Sequence, residues 1–320
     1  MDIGRFKALK ALVIGDLMID EYLWGSVDRI SPEAPVPVVA VEEESQTLGG
    51  AGNVINNLVS MGAGVFAIGT AGTGKAGQTV FKKLKDLGVE TSGIISEPHR
   101  PTTRKTRIIA SNQQVLRIDK EVKRRINGDT LERLAAIIQS RIREVDLVII
   151  SDYDKGLVTK DLVARTVDLA RAHNVLTLAD PKSLDFTKYK GVSVLTPNKK
   201  EAGLAASMEI LTQEDMDAAG RRIMDQASLE RLLITCGKDG MVLFEPGVPT
   251  RTIASKARQV FDVSGAGDTV ISLLGLGLAA GFGFEAAAGI ANAAAGVVVG
   301  KVGTATASID ELNRTLGRNV

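Results

Sequence analysis

The chain of 320 residues is short of the side chains that carry most redox, metal and nucleophile chemistry: it has one cysteine, two histidines and one tryptophan. The lone Cys236 permits no internal disulfide, so the expected compartment is a reducing cytoplasm. His99 and His173 are isolated from each other and from that thiol, which excludes an ordinary zinc site and any obvious Ser-His-Asp or Cys-His pairing. Excess charge is missing too. A net charge of +1 gives no electrostatic basis for binding nucleic acid or an acidic membrane surface. Long hydrophobic runs are equally absent. The first seven residues have no apolar core of the signal-peptide kind, and Glu285 divides the C-terminal apolar region into 269–284 and 286–300. Each piece falls short of the ~20 residues of a helical span, and their Ala and Gly content suits two packed interior helices.

What the chain has is apolar bulk and glycine-rich turns. At 44% hydrophobic it can bury a large core, and one α/β domain over residues 1–320 is expected. Ala11 to Asp16 is a short apolar run closed by an acid, the pattern of a buried parallel strand. Further on, strands at 146–151, 175–179, 192–195 and 231–235 alternate with helices at 159–173 and about 213–227. That alternation predicts a doubly wound, mostly parallel sheet with helices on both faces. In such sheets ligands bind beyond the carboxyl ends of the strands, where Asp16, Asp20, the run Ser151 to Lys155, Asp180 and the run Thr196 to Glu201 fall.

Two stretches break the alternation. Residues 21–48 hold Pro32, Pro35 and Pro37 among β-branched residues, which argues for short edge strands forming a lid. Residues 102–119 read as two more lid strands joined at Ser111-Asn112-Gln113, with Thr103, Lys105 and Arg107 on one face and Arg104 and Thr106 on the other. The exposed edge of such strands needs protection, so dimerisation through the lid is expected.

Three glycine-rich turns remain. Gly69 to Ala76 follows a strand-like run and nearly spells a P-loop, but Ala76 stands where Ser or Thr would hold magnesium. Gly49-Gly50-Ala51-Gly52-Asn53 opens a helix, and Asn53 can both donate to and accept from a sugar diol. Phe261 to Thr269 precedes an uncharged helical run. Gly265 and Gly267 are expected at positive φ, and the N–H groups of Gly265, Ala266 and Gly267 are expected to meet an anion at the helix N-terminus. Asp268, in the first helical turn, can accept the proton of an attacking hydroxyl. Asp262 is assigned to holding the loop or a nearby cation.

The two turns 49–53 and 262–268, more than two hundred residues apart, together resemble the signatures of the ribokinase-like (PfkB) carbohydrate kinases. The resemblance implies a ribokinase-like fold over nearly the whole chain and transfer of the ATP γ-phosphoryl to a sugar hydroxyl, with Asp268 as base and Gly265, Ala266 and Gly267 as anion hole. It implies that Asn198, Lys199, Lys200 and Glu201 serve ATP and Mg2+, with Glu201 the metal-side carboxylate. Thr235, Gly237, Gly240 and Asn292 would flank the nucleotide. Asp16, Asp20, Gly50 and Asn53 would hold the sugar. The family usually carries an acid in the loop at 69–76, which this chain lacks. The run Arg29 to Val38 and the run Asn112-Gln113-Gln114-x-Leu116-Arg117-x-Asp119 resemble the heptose-7-phosphate kinases within the family. That narrower likeness implies phosphorylation at the anomeric O1, toward ADP-heptose and lipopolysaccharide core, with Lys105, Arg107 and Arg117 on the substrate's phosphate. Such kinases are often fused to a nucleotidyltransferase bearing His-x-Gly-His. No such motif occurs here, so the kinase half alone is expected. Two alternatives stay open: another family kinase acting on ribose, fructose phosphate or a nucleoside, and a non-catalytic sugar-binding regulator.

Overall fold

The computed structural model describes residues 2–111, 113–257 and 260–317. Asn112, the first residue of the lid motif, lies outside the described residues. The main sheet has nine strands. Seven parallel strands run in the spatial order Glu90–Ser96, Gly64–Ala71, Lys10–Gly15, Leu147–Ser151, Leu176–Asp180, Val194–Leu195 and Arg231–Thr235. Antiparallel strands Met241–Phe244 and Arg251–Ile253 complete one edge.

Alternation along the strand Lys10–Gly15 explains why this sheet carries helices on both faces. Ala11 and Val13 join a core with helices Ala51–Ser60, Ala266–Ala279 and Phe284–Val298. Leu12 and Ile14 point the other way, into a core with helices Gly128–Arg141, Lys160–Ala172 and Gln213–Ala227. All four side chains are essentially inaccessible, as successive residues of a strand covered on both faces must be. The apolar C-terminal region forms two interior helices, and among the described residues no helix is long and apolar enough to cross a membrane.

The lid is a second sheet of four strands, in the order Pro37–Gly50, Leu17–Ile30, Thr103–Ala110 and Gln113–Lys120. Its first two strands are not short: each has 14 residues, beginning two residues after the main-sheet strand ends and running up to the helix at Ala51. The prolines account for the difference. Pro32 and Pro35 fall in the turn and Pro37 opens the returning strand, so none interrupts a ladder, while register shifts at Trp24/Gly25 and Val27/Arg29 absorb the irregularities. Leu17–Ile30 pairs in parallel with Thr103–Ala110, setting Asp20 beside Lys105 and Tyr22 beside Arg107. Lys105 in turn faces Asp119, and Arg107 faces Arg117. The other face carries Glu21, which accepts from Thr106 Oγ1 at 2.6 Å and pairs with Arg104 at 3.6 Å, as the alternation predicted.

Candidate active site

Gly265 caps the helix Ala266–Ala279 in the left-handed region, φ 80°, and a Cβ there would lie 2.5 Å from Asn53 Nδ2. Only glycine suits both demands. Gly267 departs from expectation. It sits inside the helix without a positive φ, and a Cβ on it would meet nothing within 4 Å. Its lack of a side chain therefore keeps space open above the helix N-terminus rather than permitting a turn. Ala266 departs too, because its N–H donates to the Val263 carbonyl at 3.2 Å. Asp262 holds the loop: its two oxygens accept from Ser264 N–H at 2.8 Å and Gly303 N–H at 3.0 Å.

Asp268 follows in the first helical turn and is 3% exposed. Oδ2 accepts from Asn53 Nδ2 at 2.8 Å, and Oδ1 accepts from the Tyr153 hydroxyl at 2.8 Å. Burial lifts its pKa from the usual carboxylate range to about 6, against the opposing pull of those two donors. A carboxyl with this value is mostly ionised at neutral pH and basic enough to take a proton. Asn53 is held by the same helix pair: Asn57 Nδ2 donates to its carbonyl at 2.9 Å, and Thr269 Oγ1 donates to Asn57 Oδ1 at 2.9 Å. This buried polar seam joins helices Ala51–Ser60 and Ala266–Ala279, so the two glycine-rich turns of the sequence meet at one point.

Asp16 stands at the end of its strand with a different task from the one expected. Its Oδ2 accepts from the backbone N–H groups of Tyr153 at 2.9 Å and Lys155 at 3.2 Å, which anchors the loop after Leu147–Ser151. Burial and the neighbouring Asp152 push its pKa up to about 6. Asp152 is buried against Lys188 and the Tyr189 hydroxyl, and its Oδ1 accepts from Asp154 N–H at 2.8 Å. Two buried carboxylates thus fix the loop that presents Tyr153, a residue to which no motif pointed. Its only signal was its place just past a strand's carboxyl end.

Over this floor lies the lid. Arg107 Nη1 donates to Asp20 Oδ1 at 2.6 Å and its guanidinium covers the Tyr22 ring at 5.2 Å. The Lys105 ammonium stands 5.2 Å from the centre of the Tyr153 ring, so the face bearing Lys105 and Arg107 is the one turned toward Asp268. Burial lowers the Lys105 pKa. Arg117 shares that face by register but is half exposed, and makes two 2.9 Å hydrogen bonds to Asp119. Gly50, φ 57°, starts the helix that carries Asn53.

Along the same sheet edge, Asn198 and Glu201 form a capping box. Glu201 N–H donates to Asn198 Oδ1 at 2.9 Å, and Asn198 N–H donates to Glu201 Oε2 at 3.0 Å. The other Glu201 oxygen accepts from Lys182 Nζ at 2.6 Å. Asp180, at the end of the strand Leu176–Asp180, has its pKa pushed well up, first by burial and then by the charges of Asp268 and Glu201. Lys199 and Lys200 line a surface groove with Leu204 and Met208 instead. Thr235 pairs with Asn198 across a bridge and leads into the turn at Gly237 and Gly240, φ 59° and 94°. Asn292 is buried and donates to the Ala254 carbonyl at 2.7 Å, so it secures the loop after the last strand. Among the described residues no group of three or more His, Cys, Asp or Glu is arranged to hold a metal. Mg2+ entering with a nucleotide needs little from the protein, since phosphates and water supply most of its oxygens, and the Glu201 carboxylate beside Asn198 fits that role.

The sequence pattern of the pfkB family carbohydrate kinases matches residues 8–311. The chain is 50% identical over 98% of its length to the Bifunctional protein HldE of Desulfatibacillum aliphaticivorans, covering 64% of that protein. To the protein of the same name from Geobacter sulfurreducens it is 46% identical over 97% of its length, covering 63%. It thus spans less than two thirds of these curated relatives. Its fold resembles that of Arabidopsis thaliana ribokinase complexed with ribose and ATP, at TM-score 0.76 and 19% identity over 96% of this chain and 98% of the ribokinase. Phosphofructokinase-2 from Escherichia coli aligns at TM-score 0.80 and 17% identity, over 97% of this chain and 98% of the other. With the family pattern running through both glycine-rich turns and through Asp16, Tyr153 and Glu201 at the carboxyl edge of the sheet, the chain belongs to the pfkB family of carbohydrate kinases.

Proposed function

We infer that this chain is the kinase unit that transfers the γ-phosphoryl of ATP to the anomeric O1 of D-glycero-β-D-manno-heptose 7-phosphate, giving the 1,7-bisphosphate used toward ADP-heptose. The carrying observation is Asp268: a buried carboxylate in the first turn of a glycine-capped helix, facing lid cations. In the reaction the sugar hydroxyl gives its proton to Asp268 as its oxygen bonds to the γ-phosphorus, and the bond to the bridging oxygen breaks to release ADP. Asn53 now occupies Oδ2, so the hydroxyl enters by displacing that amide, which turns to the sugar's own oxygens. Backbone N–H groups of Gly265 and Gly267 meet the transferring phosphoryl, joined by Ala266 once its bond to Val263 opens. Glu201 would hold Mg2+, which would supply neutralisation of the charge on the ATP phosphates.

The substrate's 7-phosphate is assigned to Lys105, Arg107 and Arg117. A sugar held only by Asp16, Asp20 and Asn53 would be read through hydroxyls, and acids repel phosphate. The lid supplies the cations, and its heptose-kinase-like sequence supports this substrate. We read residues 1–320 as one kinase domain with its lid, cytoplasmic, and dimeric through that lid.

Asp268→Asn tests the assignment. It should leave ATP affinity within a few-fold while lowering turnover by roughly 10²–10⁴, since an amide cannot take the proton. Near-normal turnover sinks the assignment. Phosphorus NMR of the wild-type product should show a new anomeric phosphate. Faster turnover of ribose, fructose phosphate or a nucleoside in a substrate panel would reassign the sugar.

A further inference from the structure

We propose that Tyr153 is a positioning residue of the catalytic base: its hydroxyl fixes one carboxylate oxygen of Asp268 and leaves the other to the acceptor hydroxyl. The proposal rests on Asp268 acting as that base. The two oxygens are held differently. Asn53 lies on helix Ala51–Ser60, and its amide can exchange a partner for a sugar hydroxyl, because it both donates and accepts. The phenol of Tyr153 has no such freedom. Its backbone N–H is bonded to buried Asp16, and the loop that follows is tied through Asp154 N–H to buried Asp152. The Lys105 ammonium also lies over its ring. Tyr153 is therefore the rigid partner and Asn53 the exchangeable one, so the proton enters at Oδ2.

A fixed donor on a buried carboxylate stabilises the charged form. The hydrogen bonds from Asn53 and Tyr153 both hold the Asp268 pKa down against burial, which sets it at about 6. The remaining charges around the carboxylate are Asp20 and Lys105 on the lid and Asp180 and Lys182 at the end of the neighbouring strand. Burial pushes the Tyr153 hydroxyl well above the usual phenol range, so it stays a donor throughout the working pH. Losing this donor raises the Asp268 pKa. The base is active only when ionised, so activity is then lost first at low pH and regained as pH rises.

Tyr153→Phe keeps the ring under Lys105 and removes only the donor. The acid limb of kcat/KM should move up by about one to two pH units, with a loss of roughly five- to fiftyfold near pH 6 that nearly vanishes near pH 9, and an unchanged KM for ATP. In the Asp268→Asn background the same substitution should change residual turnover less than about twofold, because the group it acts through is gone. A loss equal at every pH, or an equal factor in the Asp268→Asn background, overturns the proposal. Near-normal turnover of Asp268→Asn by itself removes the base, and the role of Tyr153 with it, which separates the two failures. If Tyr153→Phe does not fold, 3-fluorotyrosine placed at 153 keeps the shape and strengthens the donor. The acid limb should then move to lower pH, and an unmoved limb overturns the proposal.

Discussion

Asp20 and Arg107 are a nearly buried pair, 2.6 Å apart and 6% and 13% exposed at the side chain, whereas Arg117 and Asp119 are 50% and 27% exposed. Both arginines are proposed to hold the sugar's phosphate, yet removing them should have different consequences. A charge-assisted hydrogen bond contributes roughly 1.5–3 kcal/mol, so either Arg107→Ala or Arg117→Ala should raise the KM for the sugar phosphate about ten- to a hundredfold and leave the KM for ATP nearly unchanged. Arg107→Ala also strands a buried Asp20 carboxylate, and should lower the melting temperature where Arg117→Ala does not. Indifference of both KM values to the 7-phosphate would show that the lid reads something else. The alternation of residues 103–107 sufficed to place Lys105 and Arg107 on one face. It could not show that Arg107 meets Asp20, because 87 residues separate them and the register of a parallel pair leaves no local trace. Tyr153 was illegible for the same reason: its partner Asp268 is 115 residues away.

At the scale of elements, the helix Ala266–Ala279 distinguishes two glycines that look equivalent in the sequence. Gly265→Ala asks a side chain to adopt φ 80° and to overlap Asn53, so it should lower both stability and activity. Gly267→Ala puts a methyl group into open space at a helical position, where alanine is favoured over glycine by about 1 kcal/mol. This variant should melt at the wild-type temperature or higher and still lose phosphoryl transfer, because the methyl fills the space a phosphate needs. Unchanged turnover in Gly267→Ala would move the anion site elsewhere. The motif of the turn was readable and its φ angles were not, since spacing tells where glycine is required but not whether the backbone or a ligand requires it. The main sheet was readable for a simpler reason. Runs such as Arg231–Thr235 and Leu176–Asp180 are buried on both faces and bounded by polar ends, so composition alone marks them. The lid's first two strands were underestimated because proline density was averaged over residues that the structure divides between strand and turn.

The whole molecule leaves the outer face of the lid sheet exposed toward its open edge, although Glu21 and Thr106 deeper on that face are buried. Register sets Leu116 opposite Ile108 and Ile118 opposite Thr106, on the side away from Lys105 and Arg107. Leu116 and Ile118 are 53% and 50% exposed, and Ile30 and Val36 near the hairpin turn are 61% and 51% exposed. Single exposed apolar residues are ordinary, but Leu116 and Ile118 stand on the last strand of a four-stranded sheet, and that strand is exposed along its full length. An open edge beside apolar side chains is what pairing with a second copy would cover. Light scattering at micromolar concentration should therefore give the mass of a dimer, and Leu116→Asp combined with Ile118→Lys should give a monomer. That double variant alters only the outer face, so Arg107 and Arg117 on the inner face keep their register. If the dimer also braces the lid, the monomer should bind the sugar phosphate more weakly while its KM for ATP stays unchanged. A wild-type chain that is monomeric at micromolar concentration removes the dimer, and the apolar outer face would then have to be tolerated in solution by a lid that works alone.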